Sequence, residues 1–184
     1  MKENLISAFG KDEMSADTSN AYPPEWLPPV IDFNAHQWDA FLEVTYAIFQ
    51  KDFVHSKPKF FGIPMRLKRH PVINGKEATF WHFISEGEIE SERTPDIPRA
   101  SRIPWVRPII ENADKFKALS TRVYWWKTRR RNETRYLLAL PDFSHVVVIA
   151  DRGDYTLPWT HYPVLQEHRK RKLRKEFERF LSDH

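Results

Sequence analysis

The chain has 184 residues, 41% of them hydrophobic, which is the length and apolar content of one domain with a sizeable core. It has no cysteine, so disulfide staples, thiolate catalysis and cysteine-based zinc or iron–sulfur sites are excluded. Net charge is +4 but unevenly spread: residues 121–184 carry 14 Lys and Arg against 8 Asp and Glu, whereas 1–120 carry 15 against 17. A basic C-terminal third is the footprint of a phosphate-binding face, and also occurs in proteins that meet acidic proteins or membranes. Met1 to Gly10 lacks the basic segment and apolar run of a signal peptide, and no window approaches the roughly 18 apolar residues of a membrane span. The expectation is a cytoplasmic protein with no membrane partner.

In chain order, residues 1–20 are polar and aperiodic, and Tyr22 to Pro29 has four prolines that favour polyproline II geometry. Residues 1–30 therefore read as a flexible tail and a Pro-rich arm, and 31–184 as a single α+β domain. Asn34 is placed to cap a helix whose Trp38, Phe41, Leu42, Thr45, Ile48 and Phe49 form one stripe. Between Asp52 and Lys76, Pro58, Gly62, Pro64, Pro71 and the Asn74-Gly75 turn signal predict short extended pieces, with room for a hairpin, rather than helix. Residues 77–86 read as a short helix ended by Gly87, and 99–113 as another interrupted at Pro104 and Pro108. The acidic loop from Glu88 to Asp96 between them reads as mobile.

From Thr121 the period becomes that of strands: 123–126, 135–140, 145–150 and 155–159, joined by short links. This predicts a four-stranded antiparallel meander. The run Val146–Ala150 is apolar on both faces and belongs to a covered central strand, whereas Pro158 sends the last strand to an edge. A helix from about Val164 to Leu181 closes the chain. The fold class is thus α+β: N-terminal helices, a four-stranded meander and a basic C-terminal helix.

Two cationic groups stand out. On the last helix Leu165, Leu173, Phe177, Phe180 and Leu181 gather on one arc, and His168, Arg171, Lys172, Lys175 and Arg179 on the other. Such a stripe serves either as a solvated face or as a phosphate-binding one. In the first hairpin of the sheet, Lys127, Arg129, Arg130 and Arg131 lie beside Trp125 and Trp126, and cations interleaved with aromatics suit a polyanion whose bases stack. RNA is the expected partner ahead of DNA, with Trp126 among the stacking residues.

For chemistry, His82 projects from the side of its short helix opposite Phe80, Trp81, Phe83 and Ile84, which marks it as an exposed histidine, either idle on the surface, as such residues usually are, or placed to transfer protons. His55, His70 and His145 show no metal-ligand spacing, and no HExxH or paired carboxylates occur, which disfavours a metal-dependent nuclease. RNA cleavage without metal needs a group to deprotonate the 2′-hydroxyl, an acid for the leaving oxygen, and cations for the phosphorane. The last strand puts Thr160 and Tyr162 on one face and His161 on the other, with Lys127 and Arg135 on strands that could pair nearby. Thr160 and Tyr162 are also ordinary strand formers.

Phe80-Trp81-His82, Arg93-x-Pro95-Asp96, Arg102-Ile-x-Trp105 with Pro108-Ile-Ile-Glu111, Arg131-x-Glu133-x-Arg135-Tyr136, Ala150-Asp151-Arg152, Leu157-x-Trp159-Thr160 and the run His168 to Glu176 resemble phage- and mobile-element-encoded members of the barnase/EndoU/colicin/RelE-like ribonuclease superfamily. The resemblance covers about 35 to 181. It implies helices before a four-stranded antiparallel sheet, and a cofactor-free site on that sheet that cleaves RNA to a 2′,3′-cyclic phosphate. His82 would match the helix-borne histidine, Arg135 the strand arginine and Thr160 the hydroxyl of the final strand, while Lys127 and Tyr162 are neighbours added on chemical grounds. A toxin or phage-conflict role, with an antitoxin or immunity protein as partner, goes with that reading. Its rivals are a non-catalytic RNA- or DNA-binding module of a mobile element, and a protein-interaction factor using its basic helix.

Overall fold

The computed structural model describes residues 23–183 except Glu88, Glu90, Ser91 and Arg131. The tail expected over 1–20 lies outside the described residues, as does Arg131.

Asn34 does start the first helix, its side chain accepting from the His36 amide at 3.1 Å. A 3₁₀ turn, Ala35–Gln37, leads into α1, Trp38–Phe49, and a π-helical turn, Gln50–His55, extends it. The chain is therefore helical to His55, three residues beyond where the proline-rich stretch was expected to end it. Phe53 explains the extension, because the extra turn buries it against Phe49 and Phe83. The Pro-rich arm is no separate segment: Leu27 is buried, Ile31 donates its amide to the Ser101 carbonyl at 2.9 Å, and the Trp105 indole donates to the Pro28 carbonyl at 2.8 Å.

Two tight turns follow. Strands β1, Lys59–Phe60, and β2, Ile63–Pro64, pair around Phe61 and Gly62, and Ile73 pairs with Lys76 around Asn74 and Gly75. All four turn residues have positive φ, which suits the right-handed twist of a hairpin. Helix α2, Ala78–Ile84, runs into β3, Ser85–Glu86, which pairs with β4, Thr94–Pro95. The described end of the acidic loop is therefore tied down, with the Arg93 guanidinium donating to the Ser85 and Gly87 carbonyls at 2.6 Å. Asp96 caps α3, Ile97–Ala100, and α4 spans Ile103–Glu111. Pro104 sits in its first turn, where no donor is needed. The helix also continues through Pro108 without a break, held by burial of Trp105, Val106, Ile109 and Ile110.

The sheet is the expected meander, in the order β5 (Tyr124–Arg130), β6 (Glu133–Ala139), β7 (His145–Asp151), β8 (Thr156–Pro163). Alternation splits its side chains between two cores. Tyr136, Leu138, Val147 and Ile149 face the N-terminal helices. Trp126, Leu137, Ala139, Val146 and Val148 face the C-terminal helix α5, Glu167–Asp183. Strand β7, covered on both faces, is buried from His145 to Ala150, and β8 is an edge strand as Pro158 required. No helix among the described residues is long and apolar enough to cross a membrane.

Candidate nucleic-acid interface

Helix α5 crosses one end of its sheet face. Phe177 stacks on Tyr124 at 4.9 Å, Phe180 meets Trp125, and Arg174 lies over Phe143. Leu165, expected on the apolar arc, precedes the helix and stays exposed. The far end of the same face is left half-covered, with Thr128, Arg135, Leu157, Trp159 and Thr160 all of intermediate exposure. Thr128, Arg135, Ala150 and Leu157 form one cross-strand row there.

A bulge shapes this shelf. Thr160 opposes Val148 but Pro158 opposes Ile149, so Trp159 is the extra residue. Pro158 has no amide hydrogen to give the ladder, and one inserted residue re-aims the side chain beside it. Trp159 consequently joins the cluster under α5, on the side of Thr160 and Tyr162. The Arg135 guanidinium lies over its ring at 4.9 Å, and the His82 ring meets it edge-on at 5.3 Å. Glu133 bridges two arginines, through Oε2 to Arg135 Nε at 2.6 Å and through Oε1 to Arg152 Nη2 at 2.5 Å. Two guanidiniums around one carboxylate leave the shelf net positive.

His82 is not exposed, as its helical wheel suggested, but 5% accessible. The wheel considers one packing partner, whereas α2 is wedged between two: Phe80 and Phe83 pack on Phe49, and the opposite side meets β8. The Thr160 hydroxyl donates to the His82 carbonyl at 3.0 Å, so it fastens α2 to the sheet edge. Arg99 donates to the Ser85 carbonyl at 2.6 Å and approaches the Thr160 hydroxyl at 3.5 Å. Its ion pair with Asp96 spans 3.4 Å, and burial lowers its pKa. Tyr162 shares the face of Thr160. Burial first, and then Glu176, raise its phenol above the ordinary value, so it is a neutral proton donor at pH 7.

The other expected site residues scatter. Lys127 opposes Tyr136 and lies over that ring at 5.2 Å, on the opposite sheet face from Arg135. The expectation that Lys127 and Arg135 act together fails for that reason: their positions differ by one in the alternation. Trp126 is 1% exposed beneath Phe177 and is a core residue rather than a stacking surface. Arg129 and Arg130 are exposed, as are His168, Arg171, Lys172, Lys175 and Arg179. Sequence reading gave no role to Trp159, Glu133 or Arg152. The signal for Trp159 was present in Pro158, which breaks the strand's alternation.

His161 faces away from Thr160, as expected, and pairs with His145, Nδ1 to Nε2 at 3.2 Å, between Phe83 and Trp105. Burial, with Arg102 and Arg99 nearby, pushes His145 down to about 3; burial and then His145 hold His161 well below the usual range. Both are neutral and closed to substrate. Among the described residues no three of His, Asp and Glu gather as a metal-binding group. No family model, curated protein or solved structure matches this chain.

Proposed function

We propose that this chain binds RNA on the shelf that α5 leaves uncovered, with the basic stripe of α5 and the β5–β6 hairpin as flanking phosphate contacts. The observation that carries this reading is the Arg135–Trp159 stack on a half-open sheet face. It offers a cation for a phosphate beside an aromatic ring for a base. The exposed cations at Arg129, Arg130, Arg171, Lys172, Lys175 and Arg179 supply sequence-independent attraction.

Cleavage of the bound RNA is the second reading, favoured by His82 and Arg135 meeting at the Trp159 ring with Thr160 beside it and Tyr162 further along the same face, in line with the superfamily the motifs resemble. In it α2 shifts so that His82 meets substrate and takes the 2′-hydroxyl proton, the 2′-oxygen bonds to phosphorus as the bond to the 5′-oxygen breaks, Tyr162 gives that leaving oxygen a proton, and Arg135 stabilises the phosphorane. A cytoplasmic toxin role and an antitoxin partner belong to this second reading. One experiment separates the two: total RNA is incubated with the protein in EDTA and followed by gel shift and denaturing gel. A salt-sensitive shift of intact RNA supports binding alone, and fragments with 2′,3′-cyclic phosphate ends support cleavage. RNA that is neither shifted nor cut would point instead to the basic helix as a protein-interaction surface.

A further inference from the structure

The segment between α4 and β5 carries the most exposed large apolar side chain among the described residues, Phe116, which is 90% accessible. Its exposure is built in. Asp114 Oδ1 accepts from the Phe116 amide at 2.9 Å, and the Asp114 carbonyl accepts from the Lys117 amide at 3.2 Å, closing a tight turn with Phe116 at the tip. The base of the turn is clamped to the sheet: the Trp125 indole donates to the Asp114 carbonyl at 2.7 Å, and the Trp125 amide to the Ala118 carbonyl at 2.9 Å. The ring is therefore held out on a braced scaffold.

Charge and position say what the ring meets. Lys115 and Lys117 flank it, both exposed, and Lys115 Nζ lies 5.9 Å from the ring centroid. Ala118 packs into the cluster under α5, and Trp125 touches Phe180 next to Arg179. The turn thus adjoins the C-terminal end of the basic stripe. An aromatic face between two cations matches a nucleobase between its two phosphates. An unpaired base can lie on such a ring directly, whereas a paired one must first be prised from its stack, so the ring favours unpaired RNA.

We propose that Phe116 is a stacking finger that selects single-stranded RNA, with Lys115 and Lys117 holding the phosphates on either side of the stacked base. The inference rests on the RNA-binding reading and names the class of RNA within it. Fluorescence anisotropy with a labelled 12-nucleotide oligouridylate and with an RNA duplex tests it on the full chain, using Phe116→Ala, Phe116→Leu and Phe116→Trp. Alanine and leucine should each weaken single-strand binding by about 5- to 100-fold, and tryptophan should retain it. The salt slope should not move, because no charge is lost, and duplex affinity should stay as in the parent. A 2-aminopurine base in the strand should change its emission on binding the parent and not the alanine variant. Because the ring is exposed, all three variants should melt with the parent. Leucine equal to the parent, or equal losses on duplex and single strand, overturns the stacking finger while RNA binding stands. Loss of binding to phosphatidylserine vesicles with RNA affinity intact assigns the finger to a membrane surface and overturns it too. A parent that binds no RNA overturns both readings together.

Discussion

Acidification from pH 7.5 to 5 should destabilise the fold through the His145–His161 pair. In the native state the two rings share one hydrogen bond at 3.2 Å inside the core, and each is fully buried. Burial is the main reason they resist protonation, with the charges of Arg99 and Arg102 opposing it further. In the unfolded chain each histidine titrates near 6.5, whereas His145 in the native state does so only at about 3. The unfolded state therefore binds protons first, and stability falls as pH drops from about 6.5 towards 3. At pH 5, one and a half units below the unfolded value, His145 alone should remove about 2 kcal/mol, at ~1.36 kcal/mol per unit. His161, depressed in the same direction, should add to the loss. Carboxylates titrate over the same range, so the comparison that isolates the pair is His145→Gln with His161→Gln, which removes both titrations and keeps groups able to hydrogen-bond. Urea unfolding of both proteins at the two pH values gives the difference. The parent should lose at least about 2 kcal/mol more than the double variant between pH 7.5 and 5. Parallel pH dependences would refute the claim that these histidines are held neutral in the core.

Trp126→Ala should lower unfolding stability by about 3–5 kcal/mol, because it empties the space under Phe177, and denaturant titration reads that directly. Replacing Arg171, Lys172, Lys175 and Arg179 together by Gln should flatten the salt dependence of RNA binding by roughly one unit of log–log slope per lost phosphate contact. The melting temperature should hardly change, since these side chains are exposed. Glu133→Gln, which removes the carboxylate competing for Arg135 and Arg152, should tighten RNA binding and steepen its salt dependence in the same anisotropy assay.

Much of the architecture is a matter of local pattern. The unbroken apolar run of 146–150 with its short neighbouring links specifies a covered central strand in a meander, since a strand apolar on both faces is stable only with cover on both. The arcs of 167–183 specify an amphipathic helix with cations outward, and Asn34 starts the 3₁₀ turn that leads into α1 by the chemistry of its own side chain. Pro158 similarly announces an edge strand.

Tertiary packing decided the rest, and with it the candidate site. His82 is buried because α2 is pressed between Phe49 and β8, and burial on two sides depends on neighbours distant in the chain. Trp126 lies under Phe177, fifty-one positions further on, so its period-two pattern is equally compatible with an open or a covered face. The bulge at Trp159 turns one residue of β8 and thereby creates the Arg135–Trp159 stack, while Lys127, one step away from that parity, goes to the other face. Helix α4 runs through Pro108 because the burial of Trp105, Val106, Ile109 and Ile110 outweighs one missing hydrogen bond. Composition and periodicity determine which elements form and which of their faces are apolar. Which polar groups end up side by side depends on register and on what packs above them, and those are set only when the whole chain has folded.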